Sequence, residues 1–184
     1  YLIDINSVKK ILEESPKGTY SGIIPVDFAG RAVNMEELKS VADKWNLWII
    51  EDSCHSPGGY FTKKDGEYSK CGSGEFADLA IFSFHPAKHI AAGEGGMITT
   101  NDKTLYKKLL NLRSHGIVKE DSFQNSADFA TGMSNSKNYP NWYMEMQTLG
   151  YNYRLSDIQS ALGLSQLKRA SQNLKKRKEI AKRY

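Results

Sequence analysis

With 184 residues, 40% of them hydrophobic, the chain carries enough apolar material for one core and reads most simply as a single domain. Its longest strongly apolar run, Leu47 to Ile50, is strand-sized, which argues against a membrane span or a secretory leader, and two cysteines, Cys54 and Cys71, do not make a disulfide framework. The net charge of +4 is uneven: the basic residues crowded between Lys168 and Arg183 face only Glu179, so the remainder is mildly acidic and not a general nucleic-acid binder. A soluble protein of the reducing cytoplasm is expected.

In chain order, Asn6 is placed to cap a helix through about Glu14, with Val8, Ile11 and Leu12 on one face and Pro16 and Gly18 ending it. Ile23 to Phe28 reads as a buried strand. Asn34, with Glu37 three residues on, caps a second helix whose stripe is Met35, Leu38, Val41, Ala42 and Trp45. Leu47 to Ile50 is the next strand, leaving through Glu51-Asp52-Ser53-Cys54-His55. This repeated β-α-β order predicts an α/β fold with a mostly parallel sheet covered by helices and ligands at the carboxyl ends of its strands. Pro57 to Glu75 is a loop or small hairpin. The strand Leu79 to Phe84 follows, then a turn carrying Lys88, and the strand Met97 to Thr100. Asn101 or Asp102 caps a helix bearing Leu105, Leu109, Leu110 and Leu112 and ending at Arg113-Ser114-His115-Gly116. Residues 119–147 form a long polar and aromatic loop with Asn125, Asn135, Asn138, Tyr139, Asn141, Trp142 and Tyr143, a length that suggests function or mobility. Ser156, with Gln159 completing a capping box, opens one long helix over 156–184 that carries Ile158, Leu162, Leu167 and Leu174.

Lys88, between two strands at a sheet rim, is placed for chemistry. A partly desolvated lysine near other cations has a lowered pKa and condenses with carbonyls as a Schiff base, although a solvated loop lysine is the commoner case. Asp52 ends an apolar strand, where a carboxylate needs a partner: either a protonated ring nitrogen or the backbone of the following loop. Ser83, five residues before Lys88, is a candidate phosphate ligand or an ordinary strand serine. His55 is a candidate ring neighbour or a polar bystander. Asn152 and Arg154 precede a helix and are candidates for reaching phosphate, helix entry being the alternative for Asn152.

Five ordered motifs carry a family resemblance: Glu51-Asp52-Ser53-Cys54-His55; Phe82-Ser83-Phe84-His85-Pro86-Ala87-Lys88; Gly93-Glu94-Gly95-Gly96-Met97; Arg113-Ser114-His115-Gly116; and Gly150-Tyr151-Asn152-Tyr153-Arg154-Leu155-Ser156-Asp157. In order and approximate spacing they resemble the DegT/StrS sugar aminotransferases over nearly the whole chain. The resemblance implies the large-domain portion of the pyridoxal-phosphate-dependent, aspartate aminotransferase type I fold. It implies pyridoxal 5'-phosphate as cofactor, Lys88 as its covalent attachment point, Asp52 on the pyridine nitrogen, His55 beside the ring and Ser83 on the phosphate. Asn152 would reach the phosphate of a neighbouring subunit in a homodimer with shared sites, and His85, His115 and Arg154 would face substrate. No metal is implied. Asn141-Trp142-Tyr143-Met144-Glu145-Met146-Gln147 and Ala161-Leu162-Gly163-Leu164-Ser165-Gln166-Leu167 are most similar to the branch serving pseudaminic acid synthesis. That branch aminates C4 of a UDP-linked 4-keto-6-deoxy-N-acetylhexosamine, with glutamate the expected donor, for surface glycans or flagellin.

A chain opening at Tyr1 and stopping within a helical pattern is expected to be a segment of a longer one, lacking a phosphate-binding turn before it and a small carboxyl-terminal domain after it. Three competing readings remain. Relatives with histidine in place of the lysine dehydrate keto sugars, which the presence of Lys88 disfavours. The basic final helix suggests a binding module for nucleic acid or an acidic partner, but it lacks interleaved aromatic residues. Cys54, His55, Cys71 and His85 suggest a metal site, without the close paired spacing that zinc ligands show.

Overall fold

The computed structural model describes residues 1–118, 123–133 and 138–184. The chain divides into two compact units, Tyr1–Asp102 with Leu155–Tyr184, and Lys103–Arg154.

The first unit is built on a four-stranded sheet in the order β1 (Gly22–Ile23), β2 (Trp48–Asp52), β5 (Leu79–Ser83), β6 (Gly96–Thr99). The first three strands run parallel, as the β-α-β pattern predicts, and β6 returns antiparallel on β5. Helices α1 (Ile5–Glu14) and α2 (Met35–Trp45) supply the core with Leu12, Met35, Leu38, Val41 and Ala42, packed with Ile23, Leu47 and Ile49. Helical spacing puts the four buried α2 residues on one face. Full burial of side chains such as Leu38 and Met35 stabilises the fold by about 1.5–3 kcal/mol each. Asn34 caps α2 as expected, its Oδ1 accepting the Glu37 amide at 3.2 Å.

Three local expectations are corrected. The α1 cap is Asp4, not Asn6: its extended backbone aims two carboxylate oxygens at the amides of Asn6 (3.2 Å) and Ser7 (3.1 Å). The strand over 23–28 is short, because Pro25 has no amide to donate; Val26 makes an isolated bridge to Asp52, and Phe28–Gly30 turns as a 3-10 helix. The long final helix breaks at Arg169 (φ −102°, ψ −1°) into α5 (Asp157–Lys168) and α6 (Ala170–Ala181). The predicted Ser156–Gln159 capping box is present at the start of α5.

Residues 57–75 fold as a hairpin of β3 (Tyr60–Thr62) and β4 (Tyr68–Lys70), over which Lys178 of α6 sits 5.6 Å from the Tyr60 ring. The chain leaves β4 through Gly72, whose φ of +72° and closeness to the Phe82 ring, 2.1 Å from where a Cβ would stand, both demand glycine.

The second unit holds α3 (Lys103–Arg113), β7 (Ile117–Val118), α4 (Ala127–Thr131) and β8 (Glu145–Met146), with β7 and β8 antiparallel. The long loop expected over 119–147 thus contains a short helix and one strand of a pair among its described residues. Asn135 lies outside the described residues. None of the described helices is long and apolar enough to cross a membrane.

Candidate active site

Asp52 and Ser83 are the last residues of the parallel strands β2 and β5, and Asp52 is in register with Ile81. Strand alternation places Asp52, Ile81 and Ser83 on one face of the sheet, while Ile49, Glu51 and Ala80 point into the buried side. Asp52 is fixed by its backbone: its N–H donates to the Pro25 carbonyl (2.9 Å) and its carbonyl accepts from the Asp27 amide (3.0 Å). Its Oδ1 accepts the Cys54 amide at 3.0 Å.

Beyond Ser83 the chain turns through His85 to Lys88 and returns at Gly96. The Phe84 amide donates to the Gly95 carbonyl (2.8 Å) and the Ala92 amide to the Phe84 carbonyl (2.9 Å), which ties off the loop. Within it the Lys88 amide donates to the His85 carbonyl at 2.9 Å. The Lys88 side chain is half-buried, and its ammonium makes no hydrogen bond or ion pair among the described residues. The Ser83 hydroxyl accepts the His85 amide at 3.3 Å, and exposed His85 accepts the Ala87 amide on Nδ1 at 3.1 Å. His55 is half-buried, accepts the Ala29 amide on Nδ1 (3.3 Å) and lies 5.6 Å from the Phe28 ring.

Electrostatics ties these segments together. Burial pushes the Cys54 thiol up to about 11, helped by its hydrogen bond to Asp52 and opposed by the charge of Lys88. His89 is held below the ordinary histidine value by burial and by the charges of Arg177, His55 and Lys88. Asp52, His55, Ser83 and Lys88 therefore gather at the carboxyl end of one sheet. A half-buried ammonium with no protein partner among the described residues, on the same end of the sheet as a strand-end carboxylate and a hydroxyl, fits a cofactor bearing a carbonyl, a basic ring nitrogen and a phosphate.

An apolar cavity of about 550 Å³ opens between β5 and α5/α6, lined by Phe82, Phe84, Leu164, Leu167 and Leu174. It contains none of the four residues above, because Phe82 and Phe84 alternate with Ser83 along the strand.

His115, Asn152 and Arg154 belong to the second unit. His115 has a left-handed φ of +61° and donates its amide to the Tyr151 carbonyl at 2.8 Å. Asn152 is exposed and bridges to Ser114, and Arg154 is exposed. In the same unit Glu145 accepts the amides of Gln124 (2.7 Å) and Asn125 (3.0 Å), the Tyr143 hydroxyl (3.0 Å) and the Gln147 side chain (3.1 Å).

Sequence reasoning missed a buried cluster directly behind Asp52. Asp27 accepts the Val33 amide on Oδ1 (2.9 Å) and the hydroxyls of Ser53 (3.3 Å) and Ser56 (2.8 Å) on Oδ2. Glu51 accepts the Gly72 amide at 2.9 Å. The signal was available: an acid on the buried side of a strand requires a partner. Among the described residues, the set whose donor atoms lie within 4.8 Å of one another is Asp27, Glu51 and Cys71, rather than the cysteine and histidine set considered from sequence.

A profile of the DegT/DnrJ/EryC1/StrS aminotransferase family matches residues 1–184. A UDP-4-amino-4,6-dideoxy-N-acetyl-beta-L-altrosamine transaminase of Campylobacter jejuni (strain 81-176) is 42% identical over 159 residues, covering 86% of this chain and 35% of that protein. The structure of Helicobacter pylori PseC, an aminotransferase of pseudaminic acid biosynthesis, superposes with a TM-score of 0.71 at 34% identity, covering 92% of this chain and 38% of that one. The PLP form of a Streptococcus pneumoniae protein superposes with a TM-score of 0.71 at 27% identity, covering 100% of this chain and 44% of that one. The chain spans about two fifths of the length of the curated relatives it matches. With residues 1–184 matched, the protein belongs to the DegT/DnrJ/EryC1/StrS aminotransferase family.

Proposed function

We propose that the protein binds pyridoxal 5'-phosphate at the Asp52–Lys88 end of the sheet and transaminates a nucleotide-linked 4-keto-6-deoxy sugar, with glutamate as donor. The observation that carries this reading is the half-buried Lys88 ammonium, which has no protein partner among the described residues and whose charge is felt at Cys54 and His89. When bound, the cofactor supplies an electron-accepting ring that stabilises negative charge at the carbon bearing the amino group. Asp52 keeps the ring nitrogen protonated, His55 flanks the ring and Ser83 donates to phosphate. Lys88 would hold the cofactor covalently and, as a free amine, would move protons at the donor and sugar carbons. Asn152 reaches the phosphate of a partner subunit, and His85, His115 and Arg154 meet the sugar nucleotide. A UDP-linked 4-keto-6-deoxy-N-acetylhexosamine, to be aminated at C4, is the favoured substrate, because of the similarity to the Campylobacter and Helicobacter transaminases. Lys88 favours amination over dehydration, which this family performs with histidine at that place.

The test is borohydride reduction of the protein with pyridoxal phosphate, followed by peptide mapping. The cofactor should be found on Lys88, and Lys88→Ala should lose that adduct, the visible absorbance and turnover. Glutamate should change the wild-type spectrum. Retained turnover in Lys88→Ala would overturn the assignment.

A further inference from the structure

The buried acids Asp27 and Glu51 have no role in the chemistry above, yet their bonds surround the turn that presents Asp52 and His55. Asp27 grips this turn by its backbone, through the bond from its amide to the Asp52 carbonyl, and by its side chain, through Ser53 and Ser56 on either side of His55. Glu51 precedes Asp52 in β2 and points to the opposite face, where it accepts the Gly72 amide. All four side chains, Asp27, Glu51, Ser53 and Ser56, are at least 96% buried.

Two carboxylates this close and this buried do not both stay ionised. The hydrogen bonds decide which one keeps the proton. Asp27 accepts three protein donors, whereas the chief donor to Glu51 is the Gly72 amide, so the proton between the two is placed on Glu51. Burial, and then the neighbouring Asp27 charge, push Glu51 up to about 7 against the bond from Gly72. The titratable groups facing it are Asp27 and Cys71, and the Cys71 thiol is itself pushed up to about 12, chiefly by burial. A metal ion is not needed to explain the cluster, since no buried side-chain nitrogen or oxygen among the described residues lacks a partner.

We propose that Asp27 and Glu51 are a positioning pair, sharing one proton held on Glu51, that locks the 52–56 turn so that Asp52 and His55 face the cofactor ring. The pair rests on the pyridoxal-phosphate reading for its purpose, but not for its existence.

Glu51→Gln imitates the protonated acid: its amide donates to Asp27 while its carbonyl accepts from Gly72. Asp27→Asn removes the anion and presents an amide where acceptors are needed. Infrared spectroscopy of the cofactor-free intact protein should show a protonated-carboxyl band that disappears on raising pH through about 7, and that is lost in Glu51→Gln. With pyridoxal phosphate added, Glu51→Gln should retain the spectrum that the wild type shows below about pH 7 and keep it as pH rises through that value. Asp27→Asn should shift the pH profile of the spectrum and weaken cofactor binding. Absence of the carboxyl band, or a Glu51→Gln spectrum displaced as far as that of Asp27→Asn, overturns the pair. Failure of the wild-type protein to bind pyridoxal phosphate refutes the functional reading instead, and leaves the infrared result to judge the shared proton.

Discussion

Glu51 and Glu145 are both buried glutamates, with 4% and 7% of their surface exposed, and their surroundings drive them in opposite directions. Burial raises both. At Glu51 it prevails, because the carboxyl receives a bond from Gly72 but faces the charge of Asp27, and its pKa rises to about 7. At Glu145 burial is outweighed by the amides of Gln124 and Asn125, followed by Gln147 and Tyr143, and the pKa falls to about 2. Burial alone therefore does not set the charge of an acid; the supply of donors does. The first unit keeps inside its core an acid that holds its proton up to about pH 7, and the second gathers the amides of Gln124 and Asn125 around an anion.

The largest effect is expected from breaking the first arrangement at its anion. Asp27→Ala strands the Val33 amide and the hydroxyls of Ser53 and Ser56 in the core. Each buried donor left unmade costs about 1–3 kcal/mol. The relief of Glu51 offsets only part of this, so a loss of about 3 kcal/mol or more is expected in denaturant unfolding. A loss below about 1 kcal/mol would show that Asp27 does not organise the turn.

The pH dependence of stability sharpens the comparison next. The unfolded chain releases the Glu51 proton near 4.5 and the folded chain keeps it to about 7. Between these values unfolding releases a proton, so stability falls as pH rises and levels off above the window, by up to about 3 kcal/mol. Glu51→Gln should flatten that limb when unfolding is followed from pH 4.5 to above 7. An unchanged slope in the variant would assign the limb to another group.

Gly72→Ala should cost about 1–3 kcal/mol, from the left-handed backbone and from displacement of the Phe82 ring. Any loosening of the Gly72 amide from Glu51 raises the acid further, so the carboxyl midpoint seen by carbon NMR should rise together with the loss of stability. A stable variant with an unmoved midpoint would break the link between the hairpin exit and the buried acid.

What sequence made legible was local or periodic. Asn34 with Glu37, Ser156 with Gln159, the loop or small hairpin over 57–75 and the strand over Leu79 to Phe84, observed to end at Ser83, follow from neighbouring residues, and the parallel register then brings Asp52 and Ser83 to one edge. Expectations failed where two local solutions competed or where the partner was remote. Asp4 displaced Asn6 because its carboxylate serves two amides, and nothing in the apolar spacing announced the break at Arg169. Asp27 reaches Ser53 and Ser56 only after β1 and β2 have paired, so its importance is a product of topology. In the second unit, the aromatic and asparagine-rich run gave no sign that Glu145 would be its anchor.

The smallest effect on global stability is expected at that anchor, because its partners lie within one segment of the second unit. Glu145 takes up a proton near 4.5 when unfolded and only near 2 when folded, so its contribution is present above 4.5 and is lost as pH falls toward 2. The loss should be read where it is made. The amides of Gln124 and Asn125 both donate to this carboxylate, and their hydrogen-exchange protection in the wild type should decline across that window after correction for intrinsic exchange. Glu145→Gln should lower their protection already at neutral pH, since the new amide group turns a donor toward donors, and should remove the acid limb. Protection of the amides around Asp52 should not change. If those amides change as well, the acid limb is not confined to the second unit, and the opposition between the two glutamates is one of global stability rather than of local order.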